Sequence, residues 1–188
     1  MANNASNVSA GKPKVAGAIY AAPKGTTLPL DTQSELNSAF KALGYCSDDG
    51  LTNGTNLETT DIKAWGGDTV LNIQTSKDDT FQFTLIEVLN SDVLKFVYGS
   101  SNVSGDLTNG LTVTVNNADV EEVALVIDMV MRDNVAKRIV IPDCKISEIA
   151  DIVYSDNAAV GYQTTVTCMP DTSGNYHYEY LKKATISG

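Results

Sequence analysis

The side chains able to do covalent or metal chemistry are few and scattered. His177 is the only histidine, set among tyrosines in NYHYEY, and the cysteines Cys46, Cys144 and Cys168 form no CxxC pair. A nucleophilic triad needs a base beside a Ser or Cys and an orienting carboxylate, and no local pattern around His177 supplies that. His177 therefore reads as a surface residue on a strand. One His and three dispersed Cys offer no chelating pair for zinc. The run SDDGLTNGTNLETTD (47 to 61) alternates oxygen ligands, yet it lacks the DxDxDG order and spaced Glu of a calcium loop. Neighbouring acids at Asp48-Asp49, Asp78-Asp79 and Glu121-Glu122 read as solvated carboxylates of turns or strand entries. Phosphate-binding and hydrolase signatures are absent, so the reading is no enzyme, no cofactor and no metal.

Net charge narrows the partners further. With 13 basic and 23 acidic residues the chain carries −10, and such a surface repels nucleic acid. No stretch approaches the roughly 18 apolar residues of a membrane span, and VALVIDMVM (123 to 131) is broken by Asp128. The amino terminus has neither the apolar core nor the charged prelude of a secretory signal, and an odd number of separated cysteines suits free thiols in a reducing compartment. The triplets at Asn4, Asn7, Asn53 and Asn102 match a glycosylation pattern that Asn- and Thr-rich loops generate without meaning.

The positioning elements are mostly strands. A chain of 188 residues buries roughly 70% of its unfolded surface as one domain. Residues 1–14 read as a flexible arm and 15–188 as one domain. The first strand is expected at 15–23, ended by Pro23. Asp31 as N-cap, with Leu36, Ala39, Phe40 and Leu43 at helical spacing and a closing Gly44, predicts a short helix over 31–44. Residues 45–67 are rich in Gly, Asn, Asp and Thr, with turn signals at Asp49-Gly50 and Asn53-Gly54, and form either a functional loop or an extended hairpin. A hairpin follows: strand 69–75, turn SKDD at 76–79, and strand 80–88 with Phe81, Phe83 and Leu85 on its core face. NSDVLKFVYG (90 to 99) has an N-cap, a buried stripe and a Gly stop, which predicts a helix over about 90–98. Strands are then expected at 111–115, 123–132, 136–144, 148–155, 161–169 and 177–183, with a turn at Asp133-Asn134. The spacing of Ile146, Ile149 and Ile152 also fits a helix. The sum is a mainly β protein, a sandwich or partly closed barrel of antiparallel strands with one flanking helix.

Several stretches, in order, resemble one family. AFKALGYCSDDGLT (39 to 52), TTDIKAWGGDTV (59 to 70), SKDDTFQFTLIEV (76 to 88) and the helix NSDVLKFVYG resemble the major tail tube proteins of long-tailed bacteriophages with non-contractile tails. Weaker likeness extends through VIPDCKISEI (140 to 149) and YQTTVTCMPD (162 to 171). Cys46 departs from the pattern, standing where a small β-branched or aliphatic residue is expected. The resemblance implies hexameric rings stacked into a hollow tube through which DNA leaves the virion without specific binding. Self-association, other tail proteins (tape measure, tail tip and terminator), no membrane, and a place in the virion tail after assembly in the host bacterial cytoplasm are implied with it. A type VI-like secretion tube is the near neighbour, and a monomeric β-sandwich binding module is the competing class.

Within that frame the segment 45–67 acquires a role. A subunit that binds neighbouring rings needs aromatic or apolar anchors on protruding segments. The expected inter-ring surface comprises Tyr45, Asp48, Asp49, Leu51, Leu57, Ile62, Trp65, Gly66 and Gly67. Trp65, the only tryptophan, is either the anchor of that surface or a cap on the core beneath its own loop. The acidic balance predicts a lumen of net negative charge, along which phosphates slide.

Overall fold

The computed structural model describes residues 3–14 and 18–183. In chain order these form β1 (Lys12–Pro13), β2 (Ile19–Pro23), β3 (Lys41–Ala42), β4 (Cys46–Lys63), β5 (Thr69–Leu85), α1 (Ser91–Tyr98), β6 (Val103–Asp106), β7 (Gly110–Val113), β8 (Val123–Val130), β9 (Val135–Ile149), β10 (Tyr162–Cys168) and β11 (Tyr178–Lys183). The main sheet runs β3-β2-β8-β9-β10-β5-β4, with β1 added to β8 and β11 to β9; β6 and β7 pair separately. Every pairing is antiparallel. Half of the chain is strand, the sheet does not close into a barrel, and the architecture is sandwich-like with one α-helix.

The long apolar run at 123–131 is explained by burial on both faces of β8. Leu125 and Ile127 face the main core with Ile139, Ile141, Phe81, Phe83 and the helix. Ala124 and Val126 face a second cluster with Ala22, Phe40 and Val140. A strand covered on both sides has no reason to alternate. The turn into β9 uses Asp133 (φ 56°) and Asn134 (φ 57°), the residue types that tolerate the left-handed region a tight hairpin demands. Helix α1 forms as its sequence predicts. Asn90 accepts from the Asp92 amide at 2.9 Å, Gly99 (φ 94°) closes it onto the Lys95 carbonyl at 2.9 Å, and Val93, Leu94, Phe96 and Val97 are buried.

Four expectations are corrected. Residues 31–44 are not a helix but an irregular strap over the second cluster. The Asp31 carboxylate accepts from the amides of Gln33 (2.7 Å) and Ser34 (2.5 Å), a local turn that competes with helix. The carbonyls of Asp31 and Ser34 accept from Arg138 Nη1 at 3.0 and 2.8 Å instead of from the following turn. Leu36, Ala39 and Phe40 still reach apolar surroundings, so the spacing located the buried side chains and misread the backbone.

The SKDD stretch is not a turn. β5 is continuous, and Ser76, Lys77, Asp78 and Asp79 pair with Glu58, Leu57, Asn56 and Thr55 of β4. The segment 45–67 is therefore the outgoing strand of one long hairpin plus its turn at 64–68. The third correction concerns 148–155: β9 ends at Ile149, and Val153 and Tyr154 lie exposed. The Ala150 amide still donates to the Gln163 carbonyl of β10 at 2.9 Å and Ile152 packs on the main core, but the ladder with β10 stops at Ile149. Neither strand nor helix forms there. The fourth concerns strand 15–23, of which only Ile19–Pro23 is β2 and residues 15–17 lie outside the described residues. Near the amino terminus, Arg132 donates from its amide to Ser9 Oγ (2.6 Å) and from Nη1 to the Ala5 carbonyl (3.1 Å).

One buried ion pair organises this scaffold. Asp128 and Arg138 face each other across β8 and β9 in a two-pronged contact, Nε to Oδ1 at 2.6 Å and Nη2 to Oδ2 at 2.8 Å. Both side chains are nearly solvent-free. The remaining Arg138 donor holds the strap, so the charge that interrupts the apolar run ties two layers together.

Candidate assembly surface

A second group of ionisable side chains meets where β11 enters beside β5. His177 Nδ1 lies 2.5 Å from Asp79 Oδ2, and Asp79 is 2% exposed. Asp79 also accepts from Asn53 Nδ2 (2.9 Å) and Thr55 Oγ1 (3.4 Å). The sequence reading of His177 as a plain surface residue, and of Asp79 as a solvated turn acid, missed this pair, because contact across 98 positions leaves no local signal. A His-Asp pair would activate a nucleophile within hydrogen-bond reach of its free ring nitrogen. The thiol that feels Asp79, Cys168, is pushed up to about 12 by burial first and then by the charges of Asp79 and Asp143, so it stays protonated. The pair acts as a clamp. With Tyr176, whose hydroxyl donates to the Lys77 carbonyl at 2.8 Å, it bolts the entry of β11 to the middle of β5. Among the described residues no group of three His, Cys, Asp or Glu side chains could hold a metal ion, and no helix is long and apolar enough to cross a membrane.

The hairpin β4-β5 is the distinctive surface. Its inner end is embedded: Thr80 to Leu85 pair with β10, and Phe81, Phe83 and Leu85 are fully buried. Its outer end, beyond Thr55 and Asp79, pairs only its own two strands, with Tyr176 touching it at Lys77. The turn is closed by hydrogen bonds from Gly67 N to the Ala64 carbonyl (3.0 Å) and from Ala64 N to the Asp68 carbonyl (2.8 Å). Gly66 (φ 125°) and Gly67 (φ 101°) take backbone angles that side-chain-bearing residues avoid. Trp65 is fully exposed at this tip, which overturns the core-cap alternative.

A β-bulge decides which way the outer hairpin faces. Glu58 pairs with Ser76 and Thr59 with Gln74, so Thr75 is an extra residue in β5. Strict alternation would place Leu71 and Ile73 on the same face as Phe81 and Phe83. The bulge turns them over. Leu71 pairs with Ile62 and Ile73 with Thr60, forming an apolar stripe on the side that carries the wet Gln82 and Thr84 nearer the core. The opposite side of the ribbon is polar, with Asn72 Nδ2 donating to Asp61 Oδ1 at 2.7 Å. Ile62, Leu71 and Ile73 are 44%, 52% and 43% exposed, so the stripe stands about half open to solvent.

The nine expected interface residues thus fall at three places along the hairpin. Ile62, Trp65, Gly66 and Gly67 share the tip, and Leu57 lies midway on the polar side, paired with Lys77. Tyr45, Asp48 and Leu51 stand at the root beside an apolar groove of about 830 Å³, floored by Ile19, Ile127 and Met129. Asp49 is exposed next to it. The return-strand members Leu71 and Ile73 were not among the expected residues, because the strand expected at 69–75 carries no local sign of which face it exposes.

The feature that sets this antiparallel domain apart, among the described residues, is a long hairpin whose apolar stripe and tip stand exposed. The chain belongs to the phage tail tube protein family, whose model matches residues 1–187, and is a structural subunit of such a tube, located in the virion tail. Among solved structures it is similar to the anti-feeding prophage cap, a tube-terminating cap seen by cryo-EM, with 8% identity over 98% of this chain and 100% of that one and a TM-score of 0.37. No curated protein matches it at a significant level.

Proposed function

We propose that the subunit builds the tail conduit as hexameric rings stacked through the β4-β5 hairpin, with no catalytic step of its own. The observation that carries this reading is the outer hairpin, whose apolar stripe and fully exposed Trp65 are held out by a closed turn rather than by a loose loop. Family membership implies self-assembly into a tube together with other tail components. Tape-measure, tail-tip and terminator proteins are the partners proposed to set its length and ends. The subunit is made and assembled in the host cytoplasm. With a net charge of −10, the proposed lumen is net negative and lets the genome pass without adhering, since a basic lining would hold DNA with strong salt dependence.

Negative-stain electron microscopy and light scattering of the purified chain at rising concentration test this reading. Hollow tubes or six-fold rings are expected. A strict monomer at every concentration, with and without tail-tip complexes to start growth, would overturn it in favour of a monomeric binding module. A ring reconstruction whose inner wall is lined mainly by Lys and Arg would remove the lumen proposal alone.

A further inference from the structure

The three cysteines are free, but two of them face each other. Cys144 of β9 and Cys168 of β10 are direct cross-strand partners, so their side chains leave the sheet on the same side, and both lie in the main core, 0% and 3% exposed. The Met169 amide donates to the Asp143 carbonyl at 2.9 Å. That bond makes the adjoining Cys144-Cys168 couple a non-hydrogen-bonded one, the kind whose Cα atoms stand about 4.5 Å apart. A disulfide spans roughly 4.4–6.8 Å between Cα atoms, so the backbone already satisfies it. Cys46 is kept out of this pairing: it partners Leu85, which meets Tyr162 at the opposite end of β10 from Cys168. The place of the couple gives a bond there a consequence. In the order β3-β2-β8-β9-β10-β5-β4, the β9-β10 ladder is the seam between the half that carries the strap and the half that carries the hairpin. The seam is interrupted by a bulge at Thr165-Val166, and Cys168 is the last residue of β10.

We propose that Cys144 and Cys168 form an oxidation site, a dithiol while the chain is in a reducing compartment and a disulfide once it meets an oxidising medium, and that the bond locks the β9-β10 seam. The co-reactant is a small-molecule disulfide of the glutathione class. When the end of β10 opens, the Cys168 sulfur gives up its proton and attacks one sulfur of the reagent, whose S–S bond breaks and releases one thiolate. The Cys144 sulfur, losing its proton in turn, displaces the second thiolate from the mixed disulfide. The two protons pass to the two released thiolates, so two protein thiols are oxidised and one reagent disulfide is reduced. In the closed fold neither sulfur is reachable, and burial pushes the Cys168 thiol up to about 12, so exchange is slow in both directions and the bond persists once made. Closing a loop of about 25 residues also removes conformations from the unfolded chain. The timing rests on the tail reading, since a subunit made in a reducing cytoplasm ends outside it; the bond itself does not.

The test equilibrates the purified full-length chain with oxidised glutathione in enough urea to open the core transiently, then denatures it and blocks the remaining thiols with iodoacetamide. Mass spectrometry is expected to find Cys46 blocked and the tryptic peptides that carry Cys144 and Cys168 joined. Returned to buffer without urea, the oxidised chain should melt about 10 °C above the chain reduced with dithiothreitol. Cys168→Ala should abolish that shift, and Cys46→Ala should preserve it. Three blocked cysteines at equilibrium, glutathione retained on Cys168 without the bond, or an oxidised chain that melts no higher than the reduced one would overturn the lock. None of these outcomes involves assembly, so the tube reading survives them. The timing is read from the same peptides in particles: tails from released virions carry the bond, and tails from host cells opened in excess iodoacetamide carry the thiols. A bond already present inside the cells would overturn the timing.

Discussion

Strand β5 runs through two environments, and the contrast between its halves separates folding from assembly. From Thr80 to Leu85 it lies between β4 and β10, with Phe81 and Phe83 sealed in the core. From Thr69 to Thr75 it has β4 alone, and Leu71 and Ile73 stand half exposed. Residue types alternate similarly in both halves. A two-stranded ribbon is marginal by itself in water, so the outer half is held by its ladder, its glycine turn and the Asp79-His177 clamp at its base. The lesson is that alternation marks a face to be buried without saying by whom. Here the inner face is buried by the same chain, and the outer one awaits another.

Removing the scaffold's central charge sharpens that contrast most. Arg138→Ala leaves the buried Asp128 with only Lys14 Nζ at 3.7 Å in place of its two-pronged contact and releases the strap carbonyls of Asp31 and Ser34. Breaking such a pair destabilises by about 3–5 kcal/mol. Urea titration should show this large loss, whereas Trp65→Ala at the tip should leave the monomer within about 0.5 kcal/mol of the parent. Equal losses at the two sites would refute the division.

The same comparison can be made within one strand. Phe83→Ala empties a site in the core and should destabilise by about 3–5 kcal/mol. Ile73→Ala, on the exposed stripe, should change monomer stability by less than about 0.5 kcal/mol yet weaken assembly. A monomer that suffers as much from Ile73→Ala would mean that the outer hairpin packs on its own domain.

Deleting Thr75 addresses the bulge directly. Without the extra residue, Leu71 and Ile73 return to the side of Phe81 and Phe83 and the exposed stripe changes sides. The site is at the surface, where changes away from core features are small, and the monomer is expected to stay within about 1 kcal/mol of the parent. Tube formation should be lost. Normal tubes from this variant would show that the direction of the stripe is immaterial.

These elements also show what a sequence can and cannot disclose. Helix α1 was legible because its cap, buried stripe and glycine stop are all local. The β8-β9 turn was legible because Asp133-Asn134 is one of few pairs that accept it. The bulge was invisible, since Thr75 differs in type from no other exposed strand residue and only the register with Glu58 makes it extra. Residues 31–44 misled because Asp31 caps a turn as readily as a helix, and the deciding donor, Arg138, lies more than a hundred positions away. Of the expected surface, the tip was legible from the isolated Trp65 and its two glycines. The groove at the root could not be read, for its floor comes from β2 and β8.

The smallest effect concerns acid. The Asp31 carboxyl is lowered from 3.8 to about 2, chiefly by the hydroxyl and amide of Ser34 and then by the Gln33 amide. A carboxyl whose pKa is depressed by folding contributes stability that is fully present above its unfolded value near 3.9 and disappears as pH falls through its folded value. The window is therefore between about pH 4 and pH 2. Asp31→Asn keeps a weaker acceptor for the strap turn and removes the titration. Its melting temperature should fall less steeply than the parent's across that window, with the two curves running parallel above it. Identical slopes for the parent and Asp31→Asn would mean that the strap turn does not persist in acid, and that the layer over the second cluster is held by Arg138 alone.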